Sequence, residues 1–244
     1  MKIDLERYKK LEEENVELKI IMRKMCHEMG NALTLLGGSI FYLESEIKNK
    51  KNDIKLIDLK EDYGYICRLI GNLREYNHTE TTAKSDILLT DFLDEIKEIF
   101  ERLNTEEATK LTIENQIKTN KIKIKADKTK LRQVIINIIK NSIEAMEENG
   151  VDKGRNIFVR LSNDVDKEIL LKESVHIEIR DNGKGIANEN IENIFKPLHT
   201  YDKKNGSGLG LAIVKKIVED HCGIIKAVSA CGTGTAMHIY LPVL

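Results

Sequence analysis

From Tyr8 onward, apolar residues recur at intervals of seven. Tyr8, Met22, Met29, Leu36 and Leu43 form one row, with Asn15 as its polar member, and Leu11, Leu18 and Met25 form a second. Two such rows make a coiled-coil seam, in which one polar residue sets the register. After Met25 the second row moves over by one, to Leu33, Ile40 and Ile47, so the narrow seam widens into the broader face of a helical bundle. The charged stretch 48–53 breaks the pattern. A second helix is then predicted by Leu56, Leu59, Tyr63, Ile66, Ile70 and Leu73, spaced three and four apart. Two long helices joined by a short loop form an antiparallel hairpin. A lone hairpin leaves apolar surface in water, so two copies are expected to pair as a four-helix bundle.

Beyond residue 78 the pattern changes. Thr-Glu-Thr-Thr-Ala-Lys at 79–84 has no periodicity and reads as a linker. Short strands are expected at 87–89, 111–117 and 122–126, a helix at 91–103, and another at 131–146 that Asp127 or Thr129 can cap. The helix at 131–146 is almost wholly apolar, which predicts burial, and Asn137, Asn141 and Glu144 make its polar stripe. A buried amide without a partner costs about 1–3 kcal/mol. These amides either bond each other or serve a polar ligand or hydrated metal ion, for which an amide oxygen suits Mg²⁺. Residues 175–180 alternate as a strand with one buried face, 206–218 read as an amphipathic helix, and 223–229 and 235–241 as two closing strands. The expected division is a coiled-coil segment at 1–21, a helical hairpin at 22–78, a linker at 79–86 and an α/β domain at 87–244.

Composition narrows the function. A net charge of −1 over 244 residues gives no electrostatic case for nucleic acid or an anionic membrane, and the lysines at 48–51 and 118–130 read as solvated faces. Hydrophobic residues at 41% suffice for a core, while 32% charged residues suit long exposed helices. No apolar run reaches the length of a membrane span. Cys26, Cys67, Cys222 and Cys231 lack CxxC spacing, and no signal peptide is evident, so a reducing, cytoplasmic location is expected.

Three stretches carry candidate chemistry. Asp181-Asn182-Gly183-Lys184-Gly185 follows a strand and delivers a carboxylate, then a backbone that a ligand can approach without Cβ obstruction. It is either a tight Asn-Gly turn or a site for an amino group such as that of adenine. Gly206-Ser-Gly208-Leu209-Gly210 opens a helix, with free amides and a positive dipole end that suit phosphate; a hinge is the alternative. Lys203 and Lys204 lie in the polar segment before it, which reads as a lid over phosphates. His27 sits on the helix side away from the seam, with Glu28 adjacent and Asn31 one turn on. It is a surface residue or, with a carboxylate to hold one ring proton, a nucleophile.

Together these pieces resemble the sensor histidine kinases, from about residue 22 to the end. His27-Glu28-x-x-Asn31 is similar to their phosphoacceptor box, Asn137-x-x-x-Asn141 to the asparagine box, and Asp181-x-Gly183-x-Gly185 to the first glycine box. Phe195-x-Pro197, Gly206-Ser-Gly208-Leu209-Gly210 and Gly232-Thr-Gly-Thr235 match the phenylalanine box, second glycine box and closing element. The resemblance implies an α+β chain. A dimeric four-helix phosphotransfer domain would be followed by an α/β sandwich that binds ATP, of the gyrase-like (Bergerat) type. Asp181 would then hold the adenine amine near Thr235, Asn141 would coordinate Mg²⁺, and Asn137, Gly208 and Gly210 would lie at the phosphates. His27 would accept the γ-phosphoryl group, Glu28 would act as base, and Asn31 would place water for phosphatase action on a response-regulator partner. Where the family often has Arg-x-Pro, this chain has Gly30-Asn31-Ala32, so no proline kink is expected. The alternatives are a gyrase-like ATPase and a phosphotransferase or phosphatase with little kinase activity. The ATPases place a water-activating glutamate one turn before the metal-binding asparagine, where this chain has Asn137.

Overall fold

The structure is a computed structural model that describes residues 2–47, 53–77, 83–104, 109–117, 122–147, 154–164, 173–199 and 208–244. The chain falls into two compact units, a smaller one holding residues 1–80 and 200–209 and a larger one comprising 81–199 and 210–244. Among the described residues no helix is long and apolar enough to cross a membrane.

The first unit is a hairpin of helix α1 (Lys2–Ile47) and helix α2 (Asp53–Tyr76). At 1.5 Å per residue α1 is about 69 Å long and α2 about 36 Å. Its core is Cys26, Leu33 and Ile70, with Tyr63, Cys67 and Leu73 packed against it. Gly37 lets α2 come close, because a Cβ there would run into the Tyr63 hydroxyl and lie 2.7 Å from its ring Cζ. The row facing α2 is thus Cys26, Leu33 and Ile40, all buried. The row Met29, Leu36 and Leu43, with Leu18 and Met25 beside it, stays about half exposed within one chain (Met29 44%, Leu18 58%). Both rows are apolar and lie next to each other around the helix, so one side of α1 serves the hairpin and the neighbouring side faces outward.

The second unit is a five-stranded sheet in the order β2-β4-β5-β7-β6, with helices on one face. Its elements are strand β1 (Ser85–Leu88), helix α3 (Leu89–Leu103), strands β2 (Thr109–Asn115) and β3 (Lys123–Ala126), helix α4 (Lys128–Glu147), strands β4 (Arg155–Asp164) and β5 (Ser174–Asp181), the single turn α5 (Asn188–Ile191), helix α6 (Gly210–Asp220), and strands β6 (Ile224–Ala230) and β7 (Gly234–Pro242). β2 and β4 run parallel, the other neighbours antiparallel, and β1 pairs with β3 as a separate ribbon. Ser85 and Asp86, expected in the linker, are strand residues of β1, and Leu89, expected to end a strand, opens α3. β4 was not anticipated, although Ile157, Val159 and Leu161 alternate along it and are fully buried.

α4 and α6 cover the face of the sheet formed by Ile157, Val159, Leu161, Val175, Ile177, Ile179, Met237, Ile239 and Leu241. β5 is central, and both its faces are buried, not one as its alternation implied. On the outer face burial comes from side chains of neighbouring strands. Glu178 pairs with Arg160 at 3.2 Å, and the His176 ring stacks on Tyr240 with centroids 4.6 Å apart and contacts His238 Nδ1 at 3.0 Å. A cross-strand ladder of charged and aromatic groups thus does for that face what a helix layer does for the other.

Candidate nucleotide site

Asp181 ends β5 with its carboxylate buried (7% exposed) beneath α4. Oδ1 accepts the amide N–H of Gly183 at 2.9 Å and of Thr235 at 3.2 Å, and Oδ2 accepts the Ser142 hydroxyl at 3.1 Å. A carboxylate has about four lone-pair positions, so three donors leave one for a ligand. Burial pushes the Asp181 carboxyl above its ordinary range, and the bonds from Gly183, Ser142 and Thr235 pull the other way without cancelling it.

The glycines after Asp181 have distinct reasons. A Cβ on Gly183 would lie 2.9 Å from Ala145 Cβ, so the loop passes against α4 only because that atom is missing. Gly185 has φ 71° and backs onto the Ala230 carbonyl, which a Cβ would strike. Asn182 is structural: its Oδ1 accepts the Asn156 amide at 2.9 Å and its Nδ2 donates to the Gly154 carbonyl at 3.1 Å, joining the loop to the start of β4.

α4 starts where Asp127 Oδ1 accepts the Lys130 amide at 2.9 Å, which settles the cap between Asp127 and Thr129. Its core stripe is Leu131, Val134, Ile135, Ile138, Ile139, Ser142 and Met146. Asn137 and Asn141 lie beside this stripe and are half-buried, and Glu144 is exposed, so the amides stand at the edge of the core and not within it. The two amides are not bound only to each other, since Asn137 Nδ2 reaches the Gly210 carbonyl at 3.4 Å.

Gly210 opens α6, preceded by Gly208 with φ 64° and by buried Leu209. Among the described residues a Cβ on Gly210 would meet only the Asn137 side chain at 4.0 Å, ordinary contact, so their packing does not demand a glycine there. At the other end of α6, His221 donates from Nδ1 to the Ile217 carbonyl at 2.7 Å and accepts the Asp127 amide on Nε2 at 2.9 Å. α4 and α6 are therefore tied antiparallel at two points, which holds the Asn137–Asn141 stripe beside the start of α6. Lys203, Lys204 and Gly206 lie outside the described residues.

In the first unit, α1 runs unbroken through Gly30-Asn31-Ala32, as the missing proline implies. His27 is exposed, and Asn31 Nδ2 lies 3.3 Å from its Nδ1. Glu28 is on the same helix, but its side chain lies outside what the structure describes.

Two residues of the Asp181 network, Ser142 and Ser229, are not singled out by any sequence motif. Ser142 occupies the apolar stripe of α4, where a buried hydroxyl needs a partner; that was the available signal. Ser229 lies 3.0 Å from the Thr235 hydroxyl.

Residues 126–244 match the family model described as histidine kinase-, DNA gyrase B- and HSP90-like ATPase. Sporulation kinase C of Bacillus subtilis (strain 168) is 30% identical over 224 residues, 89% of this chain and 47% of that protein. Sensor histidine kinase ZraS of Escherichia coli O157:H7 is 40% identical over 120 residues, 49% of this chain and 23% of that one. The chain thus spans about half or less of the length of these relatives. Among solved structures, full-length ShkA in complex with AMPPNP superposes with a TM-score of 0.72 at 18% identity, covering 91% of this chain and 45% of that one. Histidine kinase ThkA in complex with response regulator TrrA gives 0.61 at 22% identity, covering 90% and 60%. At such identities these two likenesses speak for the fold. Residues 126–244 belong to the histidine kinase-, DNA gyrase B- and HSP90-like ATPases, and the chain is a relative of the sensor histidine kinases.

Proposed function

We propose that this chain is an ATP-dependent protein-histidine kinase that phosphorylates His27 and passes the phosphoryl group to an aspartate of a response-regulator receiver domain. The observation that carries the reading is the buried Asp181 carboxylate, held by three donors with one acceptor position left over. Desolvating a carboxylate is costly, and its burial at a glycine-lined strand end is explained by a ligand amine, here that of adenine.

The rest of the site fits a nucleoside triphosphate. The phosphates are assigned to the start of α6, where Gly208 and Gly210 bring the backbone forward and no packing demand from the described residues explains Gly210. From their place in the sequence, Lys203, Lys204 and Gly206 are assigned to phosphate binding as well. Asn141, with Asn137 one turn before it, would offer an amide oxygen to Mg²⁺, and an ion held there would supply charge neutralisation at the phosphates. Neither asparagine can take a proton from water, which disfavours hydrolysis as the main reaction.

In the phosphoryl step His27 Nε2 attacks the γ-phosphorus, the bond to the β,γ-bridging oxygen breaks, and ADP leaves. With Asn31 Nδ2 donating to Nδ1, the ring carries its proton on Nε2 and is not nucleophilic there. The reactive tautomer has its proton on Nδ1, and Glu28 is the base that holds it. Asn31, released from the ring, positions water for phosphatase action on the regulator. The half-exposed row of Leu18, Met25, Met29, Leu36 and Leu43 fits a homodimer that closes a four-helix bundle. A response-regulator partner accords with the ThkA–TrrA assembly of a structural relative.

The test incubates the chain with Mg²⁺ and γ-labelled ATP, beside His27→Gln and Asn141→Ala. Acid-labile, base-stable label on the protein, absent from both variants, is the expected result. Free phosphate released as fast by His27→Gln as by the parent would overturn it in favour of an ATPase. ATP bound without labelled protein would point instead to a phosphotransferase or phosphatase.

A further inference from the structure

The geometry points to Ser229 as a positioning residue that sets the purine preference of the site, by committing the Thr235 hydroxyl to one hydrogen-bond polarity. The inference rests on the adenine reading of Asp181 above. Ser229 pairs with Thr235 across β6 and β7, and Arg180 with Ala236 across β5 and β7, so the next rung sets Asp181 beside Thr235. Asp181, Thr235 and Ser229 therefore form one row on the helix-covered face.

Ser229 Oγ makes three bonds. It accepts the Ile186 amide at 2.8 Å, donates to the Gly234 carbonyl at 2.8 Å, and lies 3.0 Å from Thr235 Oγ1. A serine hydroxyl has one proton and two lone pairs. The carbonyl takes the proton and the amide takes one lone pair, so only a lone pair remains to face Thr235. Thr235 must donate to Ser229, and its own oxygen is left with lone pairs alone. Ser142 is likewise committed, its proton lying on Asp181 Oδ2.

The side-chain oxygens of this row thus present acceptors and no donors. Adenine brings an exocyclic amine, which donates; guanine carries a carbonyl oxygen at the equivalent position, which would meet lone pairs. Without Ser229, the Thr235 hydroxyl is free to turn and donate, so guanine is opposed by Asp181 alone and the preference weakens. A hydroxyl that rotates between the two roles discriminates poorly, whereas one locked by a saturated neighbour leaves the wrong base unpaired.

The experiment measures dissociation constants of MgATP and MgGTP for the chain, Ser229→Ala, Ser229→Thr, Thr235→Val, the Ser229→Ala/Thr235→Val double variant and Asp181→Asn. Ser229→Ala is expected to lower the ATP-over-GTP preference about tenfold, and Ser229→Thr, which keeps the hydroxyl, to retain it. Thr235→Val leaves the Ile186 anchor in place and should lower the preference by a similar factor. In that background Ser229→Ala should change it no further, because no hydroxyl is left to orient. A preference unchanged in Thr235→Val, or one that falls again in the double variant, overturns the assignment. ATP binding indifferent to Asp181→Asn would overturn the adenine reading itself, and that outcome is distinguishable because it does not depend on Ser229.

Discussion

Replacing Asp181 with asparagine should separate ligand binding from stability. The asparagine oxygen can still accept the Gly183 and Thr235 amides, and its NH₂ takes the place of Oδ2, where the Ser142 hydroxyl turns to accept. The three bonds of the empty site survive while the buried charge disappears. Burial is the largest influence on this carboxyl and raises its pKa above the ordinary 3.8. A group with a raised folded-state pKa contributes stability below its unfolded pKa and loses it as pH rises through the folded value. At neutral pH the ionised Asp181 therefore destabilises the empty fold, and the variant should match or exceed the parent in unfolding temperature. Its advantage should grow as pH climbs from below 3.8 to neutrality. Binding moves the other way, because an amide NH₂ facing the adenine amine replaces a charged hydrogen bond worth about 1.5–3 kcal/mol. That corresponds to roughly a ten- to hundredfold loss of affinity. Calorimetric titration with MgATP and thermal unfolding without nucleotide, both across pH, measure the two effects. A variant that melts earlier at neutral pH yet binds ATP undiminished would show that the carboxylate is a structural strut.

Other expectations concern backbone and charge. Gly30 lies inside α1 with open space around a Cβ, so Gly30→Ala should stabilise the hairpin by about 1 kcal/mol, read by thermal unfolding. Gly185→Ala should cost at least about 2 kcal/mol and abolish ATP binding, because φ is 71° and the new Cβ strikes the Ala230 carbonyl. Cys222 follows α6 with φ 58°, its amide bonding the Glu219 carbonyl and the Gly223 amide the Val218 carbonyl; Cys222→Gly should gain about 1 kcal/mol in a denaturant titration. His238 has its pKa lowered, chiefly by burial and against the pull of Glu178, with Arg180 and Lys226 adding to the burial effect. Stability contributed by its neutral form is present above 6.5 and lost as pH falls below it, so His238→Gln should flatten the decline in unfolding temperature on mild acidification.

What could be read from the chain depended on whether the signal was local. Helix α1 is legible from its repeat, and the strand ending in Asp181 from its alternation and the glycines that follow. Which apolar row of α1 faces α2 is not legible, since Cys26, Leu33 and Ile40 and the row of Met29, Leu36 and Leu43 are adjacent and both apolar. Their roles differ only once α2 is in place, with Tyr63 lying where Gly37 has no side chain. The two buried faces of β5 escaped for the same reason. His176 and Glu178 look like solvent-facing positions until β4 and β7 bring Arg160, His238 and Tyr240 alongside. β4 itself was hidden by Phe158 and Arg160 on its outer face, where Phe158 lies against Arg160 and against Arg180 of β5. Ser142 reaches Asp181 across 39 positions of sequence, and no periodicity spans such a gap.

The departures from local rules gather at one end of the sheet. Gly185 and Gly234 hold positive φ there, each against a carbonyl that forbids a side chain, and Asp181 is a carboxylate buried without a cationic partner among the described residues. Elsewhere in this unit a buried carboxylate has a cation: Glu95 with Arg132 at 2.8 Å, and Glu178 with Arg160 at 3.2 Å. Those two are neutralised as structural charges are. Among the described residues Asp181 is held by neutral donors only, a poor arrangement for stability but one that would leave an ionised acceptor undercompensated for an external donor. The difference in partners between Asp181 and its two buried counterparts is thus what the binding role proposed for Asp181 requires, and the Asp181→Asn comparison tests it.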